Sequence, residues 1–340
     1  MSTRPPQRAL IFGINGQDGS LLADYLTINT TLEVFGTVRS NKAINLWRLR
    51  ELKLLERVHT RVFELSDVSN VRGIIEDILP DFIYVLAGYT FTVDAATSTV
   101  ASLSSNLLFP VSVLEAVRDT CPHAKILLAN SIYSLAASTA YQCVGDNISL
   151  SYIPSIYSYS KRSLLDISAI FDRLYPLNIY SVILANHESH LRGSKFVTMK
   201  IISTLLAIKN NPSHKPLMLG DINAVRDWSL AVEFVEGFHK LLNNYSPGTY
   251  IFGRGVQESV KRFLETTLYL LGFNYEIIYN PNNVTYYSNG RVIAISSTPE
   301  NSRSLDPTLP MLSGYFPANI LHRPMTDLPG IISAILTNLS

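Results

Sequence analysis

Short apolar runs alternate with longer amphipathic stretches through the first half of the chain. ALIFG (9–13), EVFGTV (33–38), RVFEL (61–65), DFIYVLAG (81–88), AKILLAN (124–130) and IYSVILAN (179–186) are mostly aliphatic or aromatic, with little polar alternation. A strand covered on both faces needs that pattern, whereas a sheet open to water on one side alternates apolar and polar. GSLLADYLTI (19–28), NVRGIIEDIL (70–79) and SSNLLFPVSVLEAVRD (104–119) space their apolar positions at a helical period. Strands interleaved with helices predict an α/β fold, a doubly wound parallel sheet closed by right-handed helical crossovers. Beyond about residue 187 the pattern loosens, and turn-rich NNPSHK (210–215), PNN (281–283) and SNG (288–290) separate shorter elements. The expected division is a main nucleotide-binding domain over 1–186 and a smaller mixed α/β domain over 187–340. No repeat or flexible linker parts them, so they should pack as one body around a cleft, with strands exchanged between them.

Composition narrows the function. With 47% hydrophobic and 16% charged residues among 340, the chain can bury a large core. A net charge of +1 without a run of Lys or Arg advertises neither a nucleic-acid groove nor a membrane surface, which leaves a small polar ligand. Cys121 and Cys143 are too few for a disulfide framework or a thiolate metal cluster, so no metal is expected and a reducing compartment suits the chain. MSTRPPQR runs into the first strand without an apolar signal core, and no stretch reaches the ~18 apolar residues of a membrane helix. The expectation is a soluble, cytoplasmic protein.

Gly13-Ile-Asn-Gly16-Gln-Asp-Gly19 follows the first strand directly, ahead of a helix expected to begin near Ser20. Such a loop cradles a pyrophosphate, because backbone N–H groups and the helix dipole both point at it. Gly13, Gly16, Gln17, Asp18 and Gly19 are therefore candidates for holding a dinucleotide, and GxxGxxG is the spacing of the short-chain dehydrogenase/reductase class. Where a carboxylate would bond an NAD ribose, the second strand ends in Arg39-Ser40. A guanidinium beside a hydroxyl favours a 2′-phosphate and hence NADP; the alternative is a solvated surface arginine. Glu64 and Leu65 could border the adenine, and Leu86, Ala87 and Gly88 the length of the dinucleotide.

Tyr157 and Lys161 lie four residues apart, on one face of a helix. An ammonium one turn from a phenol lowers its pKa and makes it a usable base. Ser131, at the end of a sheet strand, is placed to bond a substrate hydroxyl or carbonyl. The three make a set for hydride transfer at a sugar carbon, while Tyr159 fits no such pattern.

ALIFGINGQDGSLLADYL (9–26), VRS (38–40), YSYSK (157–161), NHESHLRGSKFVTMKI (186–201), LGDINAVRDW (219–228) and GVQESVKRF (255–263) resemble the GDP-mannose 4,6-dehydratase family of the extended short-chain dehydrogenase/reductases, over most of 8–270. The resemblance implies a Rossmann domain with bound NADP and a GDP-hexose as the expected substrate. It places Asn186, Glu188, Arg192, Lys195, Val197 and Arg226 at the donor's sugar and diphosphate, and His187 at the cofactor. It also implies a homo-oligomer, a dimer or tetramer, formed through helices beside the YxxxK helix. Leu164, Leu165, Ile167, Ile170 and Phe171 could supply that contact or simply be core.

The chain departs from the family where elimination is performed. The family's strand continues Thr-Ser-Glu, and that Glu moves protons at C5 and C6; the matching residues here are Ser131, Ile132 and Tyr133. A tyrosine titrates near ~10 against ~4.3 for Glu, so Tyr133 is a poor acid/base in its place. VLAGYTF (85–91) replaces polar family positions, and Thr298-Pro299 stands where an Arg-Pro pair is expected. Three readings stay open: a dehydratase using Tyr133 or another carboxylate; a C4 epimerase or ketoreductase needing only Ser131, Tyr157 and Lys161; or a lapsed homologue that binds cofactor. A cleft plugged by Tyr89, Phe91 or Tyr133 would favour the last.

Overall fold

The six apolar runs all become parallel strands, because each is buried between helices or lies at the edge of the same sheet. They are β1 (Arg8–Phe12), β2 (Glu33–Val38), β3 (His59–Val62), β4 (Phe82–Val85), β5 (Lys125–Ser131) and, after the hairpin β6 (Tyr141–Val144) and β7 (Asn147–Leu150), β8 (Asn178–Leu184). The computed structural model describes residues 7–40, 42, 45–65, 67–89, 99–135, 141–144, 147–150, 155–297 and 317–339. Phe91 and Thr298-Pro299 lie outside them.

Helices cover both faces. α1 (Gln17–Asn29), α2 (Trp47–Glu51), α3 (Val71–Ile78), α4 (Thr99–Leu103), α5 (Phe109–Thr120), α6 (Ile156–Leu174), α7 (Val197–Asn210) and α8 (Ala231–Asn244) follow in chain order. Leu22 and Leu26 of α1 and Phe234 and Phe238 of α8 pack with Tyr84, Leu127 and Val182 on one side of the sheet. Ile75, Val113, Val117 and Leu164 from α3, α5 and α6 pack with Leu10, Phe12, Ile83 and Ile126 on the other. Both layers are needed, since every residue of β4 is buried.

The second half adds β9 (Asn186–Glu188), β10 (Leu217–Leu219), β11 (Val225–Leu230), β12 (Gly248–Phe252), β13 (Gln257–Ser259), β14 (Glu276–Asn280), β15 (Asn283–Ser288) and β16 (Arg291–Ser297), with α9 (Val260–Leu270), α10 (Pro317–Leu321) and α11 (Leu328–Thr337). β12, which the pattern did not reveal, joins the main sheet parallel to β8, giving the order β12-β8-β5-β4-β1-β2-β3. The remaining strands form a four-stranded sheet, β10-β16-β15-β14, and a three-stranded one, β13-β11-β9. Met199, Leu205, Trp228, Phe263, Tyr286 and Ile332 share a separate core there. The expected SNG turn is a two-residue hairpin, with Asn289 at φ 51 and Gly290 at φ 71 between the paired Ser288 and Arg291.

One expectation changes. The helical run Thr99–Thr120 is long and apolar enough, by length and composition, to cross a membrane, contrary to the expectation that no such stretch exists. Half of it is buried inside the protein, with Phe109, Val113, Leu114 and Val117 fully enclosed, as in a core helix.

Candidate active site

Strand order reverses beside β1, whose neighbours β2 and β4 lead to opposite edges, and ligands enter α/β sheets at the carboxyl ends of such strands. Gly13 leaves β1 there with φ +89, a conformation costly for any residue with a Cβ. α1 starts at Gln17 rather than near Ser20, so the last glycine of the motif lies inside its first turn. A Cβ on Gly19 would sit 2.2 Å from the Gly13 carbonyl oxygen and 2.8 Å from Ile14 Cα. Only glycine lets helix and loop approach so closely. Gly16 caps α1 without any side-chain acceptor, so the first-turn N–H groups suit an external anion such as a dinucleotide pyrophosphate.

Gln17 and Asp18 turn toward the second half of the chain. Gln17 Nε2 donates to the His187 carbonyl (3.1 Å), and its Oε1 accepts from Ser189 Oγ (3.0 Å). Asp18 Oδ2 lies 2.9 Å from His187 Nε2, while His187 Nδ1 contacts the Ala185 carbonyl at 2.8 Å. Burial pushes the Asp18 carboxyl up, but the charge and hydrogen bond of His187, the Gln17 amide and Arg192 together hold it at about 2. Burial pulls His187 down, and Asp18 more than reverses this, so its pKa is raised. The pair is part-buried and joins the glycine loop to β9, as an ion pair when His187 is protonated.

Ser131 ends β5, and α6 begins where Ser155 Oγ accepts from Ser158 N at 3.1 Å. This cap sets Tyr157 in the first turn, where Ser131 hydrogen-bonds its phenol. Burial raises the Tyr157 pKa, against the effects of Ser131 and Arg192, so the free phenol is a proton donor. One turn on, Lys161 Nζ donates to the Ala129 carbonyl at 2.8 Å, and burial lowers its pKa to about 8.

Asn106 joins this group unforeseen. It lies in a π-helical turn, Ser104–Leu108, between α4 and α5, and its Oδ1 is buried without a hydrogen-bond partner. A Cβ built on Gly88 would fall 2.5 Å from Asn106 Oδ1 and 3.9 Å from Lys161 Nζ. The one available signal was a polar residue within an apolar helix; such π turns concentrate at functional sites.

Tyr133 follows Ser131 in a 3₁₀ turn and is 8% exposed. It packs with Ile132, Ile183, Leu135, Leu165 and Ile251, its ring edge-on to Tyr157 at 6.3 Å between centroids.

The other candidates are spread around the cleft. Glu188, 2% exposed, accepts from Thr198 Oγ1 at 2.6 Å and lies 3.4 Å from Arg192 Nε, so its carboxylate is committed to the protein. Arg192 stacks on Phe196, 3.6 Å from guanidinium to ring centre, within electrostatic reach of Asp18 and Tyr157. Arg48, not foreseen, donates to the carbonyls of Leu191 (2.8 Å) and Asn15 (3.1 Å), a second tie from the glycine loop to this segment. Asn186, Val197 and Arg226 are half-buried and Lys195 is exposed. Arg39 and Glu64 are exposed, with Ser40 and Leu65 partly covered, and Leu86 and Ala87 are half-buried beside Gly13. Of the proposed contact stripe on α6, Leu164 and Phe171 belong to the core and Leu165 to the Tyr133 cluster, while Ile170 is exposed.

Proteins similar to this chain in shape or in sequence include several named for sugar-nucleotide substrates. The main fold matches Thermotoga maritima UDP-glucose 4-epimerase with UDP-glucose (TM-score 0.72, 16% identity, 98% of each chain). It also matches Bacillus anthracis dTDP-glucose 4,6-dehydratase in complex with NAD (TM-score 0.70, 15% identity, 98% of this chain and 96% of that one). GDP-mannose 4,6 dehydratase 1 of Arabidopsis thaliana is 31% identical over 290 residues, covering 80% of this chain and 77% of the relative. The human GDP-mannose 4,6 dehydratase is 30% identical over 286, covering 79% and 73%. The family model for GDP-mannose 4,6 dehydratase matches residues 10–309, past the point near 270 where the motifs thin out. The chain belongs to the GDP-mannose 4,6-dehydratase family.

Proposed function

We propose that this protein moves a hydride to and from C4 of a nucleotide-linked hexose, with GDP-hexose the expected donor and NADP the carrier, and does not complete the loss of water. The observation that carries this reading is the Ser131–Tyr157 hydrogen bond at the sheet's carboxyl edge, one helical turn from Lys161. NADP, when bound, supplies the hydride acceptor; Gly13, Gly16 and Gly19 would hold its pyrophosphate, and Arg39 and Ser40 its 2′-phosphate. Ser131 holds the C4 oxygen and Tyr157 exchanges its proton. Lys161, cationic below about pH 8, favours the phenolate when a positive charge is most needed. Arg192 and Arg226 face the donor's diphosphate, and Glu188 acts by holding Arg192.

Elimination needs an acid/base beside C5 and C6, and Tyr133, the residue that the resemblance assigns to that position, is a phenol packed with apolar neighbours rather than a carboxylate. This supports epimerase- or ketoreductase-type chemistry over dehydration. The Tyr133–Tyr157 contact also favours a second reading, a homologue that holds cofactor without turnover. Incubation with GDP-mannose and other sugar nucleotides plus NADP, read by mass and NADPH absorbance, separates them: water loss, altered sugar without water loss, or no change.

We place the activity in the cytoplasm, on a nucleotide-binding unit centred on 1–186 and a donor-binding unit in 187–340. Val100, Leu108, Tyr159 and Ile170 are exposed on or between α4 and α6, and support pairing with a second copy across that face.

A further inference from the structure

Arg254 follows the carboxyl end of β12, at the edge of the sheet where the donor would enter. Its backbone N–H and that of Gly255 donate to the buried Asp227 carboxylate at 3.1 and 2.8 Å, which fixes the loop. Its side chain is only 9% exposed, and Nε and Nη2 have no hydrogen-bond partner. A buried guanidinium normally has its donors filled, so two empty ones mark a missing acceptor. The only carboxylate paired with it among the described residues, Glu258 Oε1, stands 3.5 Å from Nη2 without a hydrogen bond. Glu258 belongs to β13, opposite Arg226 on β11, and is 26% exposed, so it can swing into solvent.

We propose that Arg254 is a further anion-binding residue of this site, taking a phosphate oxygen of the donor's nucleoside diphosphate, with Glu258 as a stand-in carboxylate that withdraws when the donor arrives. This rests on the nucleotide-sugar reading. Arg254 and Arg226 then flank one anion, and Glu258 opposes binding by competing for the same guanidinium.

Calorimetric titration with GDP, UDP, dTDP and ADP tests this, with NADP as the control ligand. R254Q should weaken the best nucleoside diphosphate about 10- to 100-fold, the loss of one charge-assisted contact, and leave NADP affinity unchanged. E258Q should bind that nucleotide several-fold tighter. A residue that merely pairs with Glu258 for structure would show no such gain, so unchanged or weaker binding by E258Q overturns the proposal, and it decides alone if R254Q fails to fold. Equal binding by folded R254Q and wild type also overturns it. If wild type binds no nucleoside diphosphate, the nucleotide-sugar reading falls and takes this proposal with it.

Discussion

Replacing Asp18 by Asn keeps the shape of the side chain and removes the charge that joins the glycine loop to β9. The Asp18 carboxyl is held at about 2 against an ordinary 3.8, a gap of 3.8 − 2 = 1.8 pH units. At ~1.4 kcal/mol per unit this is about 2.5 kcal/mol of native-state stability. The sign follows from the two directions. A lowered carboxyl stabilises above its unfolded value, and that contribution fades as pH falls from about 4 to about 2. The raised His187 stabilises below its ordinary 6.5, and its contribution fades as pH rises through the folded value. The difference between wild type and Asp18→Asn is therefore largest between about pH 4 and 6.5 and shrinks on both sides. Denaturant midpoints of wild type, Asp18→Asn, His187→Gln and the double variant, measured near pH 5.5 and near pH 3, give the coupling directly. The expected coupling is about 2.5 kcal/mol at the higher pH and about half that at the lower. Additive single effects, or a difference independent of pH, would refute the ion pair as the source.

Gly19→Ala should abolish detectable dinucleotide binding and lower stability by about 1–3 kcal/mol, because the Cβ meets backbone rather than a yielding side chain; a cofactor titration and a thermal melt check it. Lys161→Met should leave the fold intact and slow hydride transfer ~10²–10⁴-fold, and wild-type activity should decline above about pH 8 as the ammonium is lost. Arg39→Asp should reverse a preference for NADP over NAD, and equal calorimetric affinities in wild type would remove Arg39 from the 2′-phosphate site. Tyr133→Glu with Ile132→Ser should introduce water loss from GDP-mannose; a double variant that binds the donor yet forms no 4-keto-6-deoxy product would show that more than one side chain is missing.

The strands that built the site were legible because burial on both faces leaves a continuous apolar run. β12 was not, since GTYIF sits at a sheet edge where four of its five residues keep some exposure. The glycine loop was readable from spacing, but the start of α1 inside it was not, because that depends on Gly19 lying against the Gly13 carbonyl. The sequence placed Tyr157, Lys161 and Ser131 near one another through a known spacing. It had no means to show that Gln17 and Asp18 reach across to Ser189 and His187, since those contacts span about 170 residues. Asn106 and Arg254 stood as single polar residues without a pattern; only burial with empty hydrogen-bond positions distinguishes them.

The most direct test of hydride transfer at C4 uses GDP-mannose carrying deuterium at that carbon, incubated with the protein and NADP and followed by mass spectrometry of both cofactor and sugar. Deuterium appearing on the reduced cofactor, or a C4-altered sugar of undiminished mass, is the predicted result with the proper donor, and it should vanish in Tyr157→Phe. Loss of water from the sugar would contradict the proposed role of Tyr133. No deuterium transfer from any nucleotide sugar, in protein shown to bind NADP, would contradict catalysis itself.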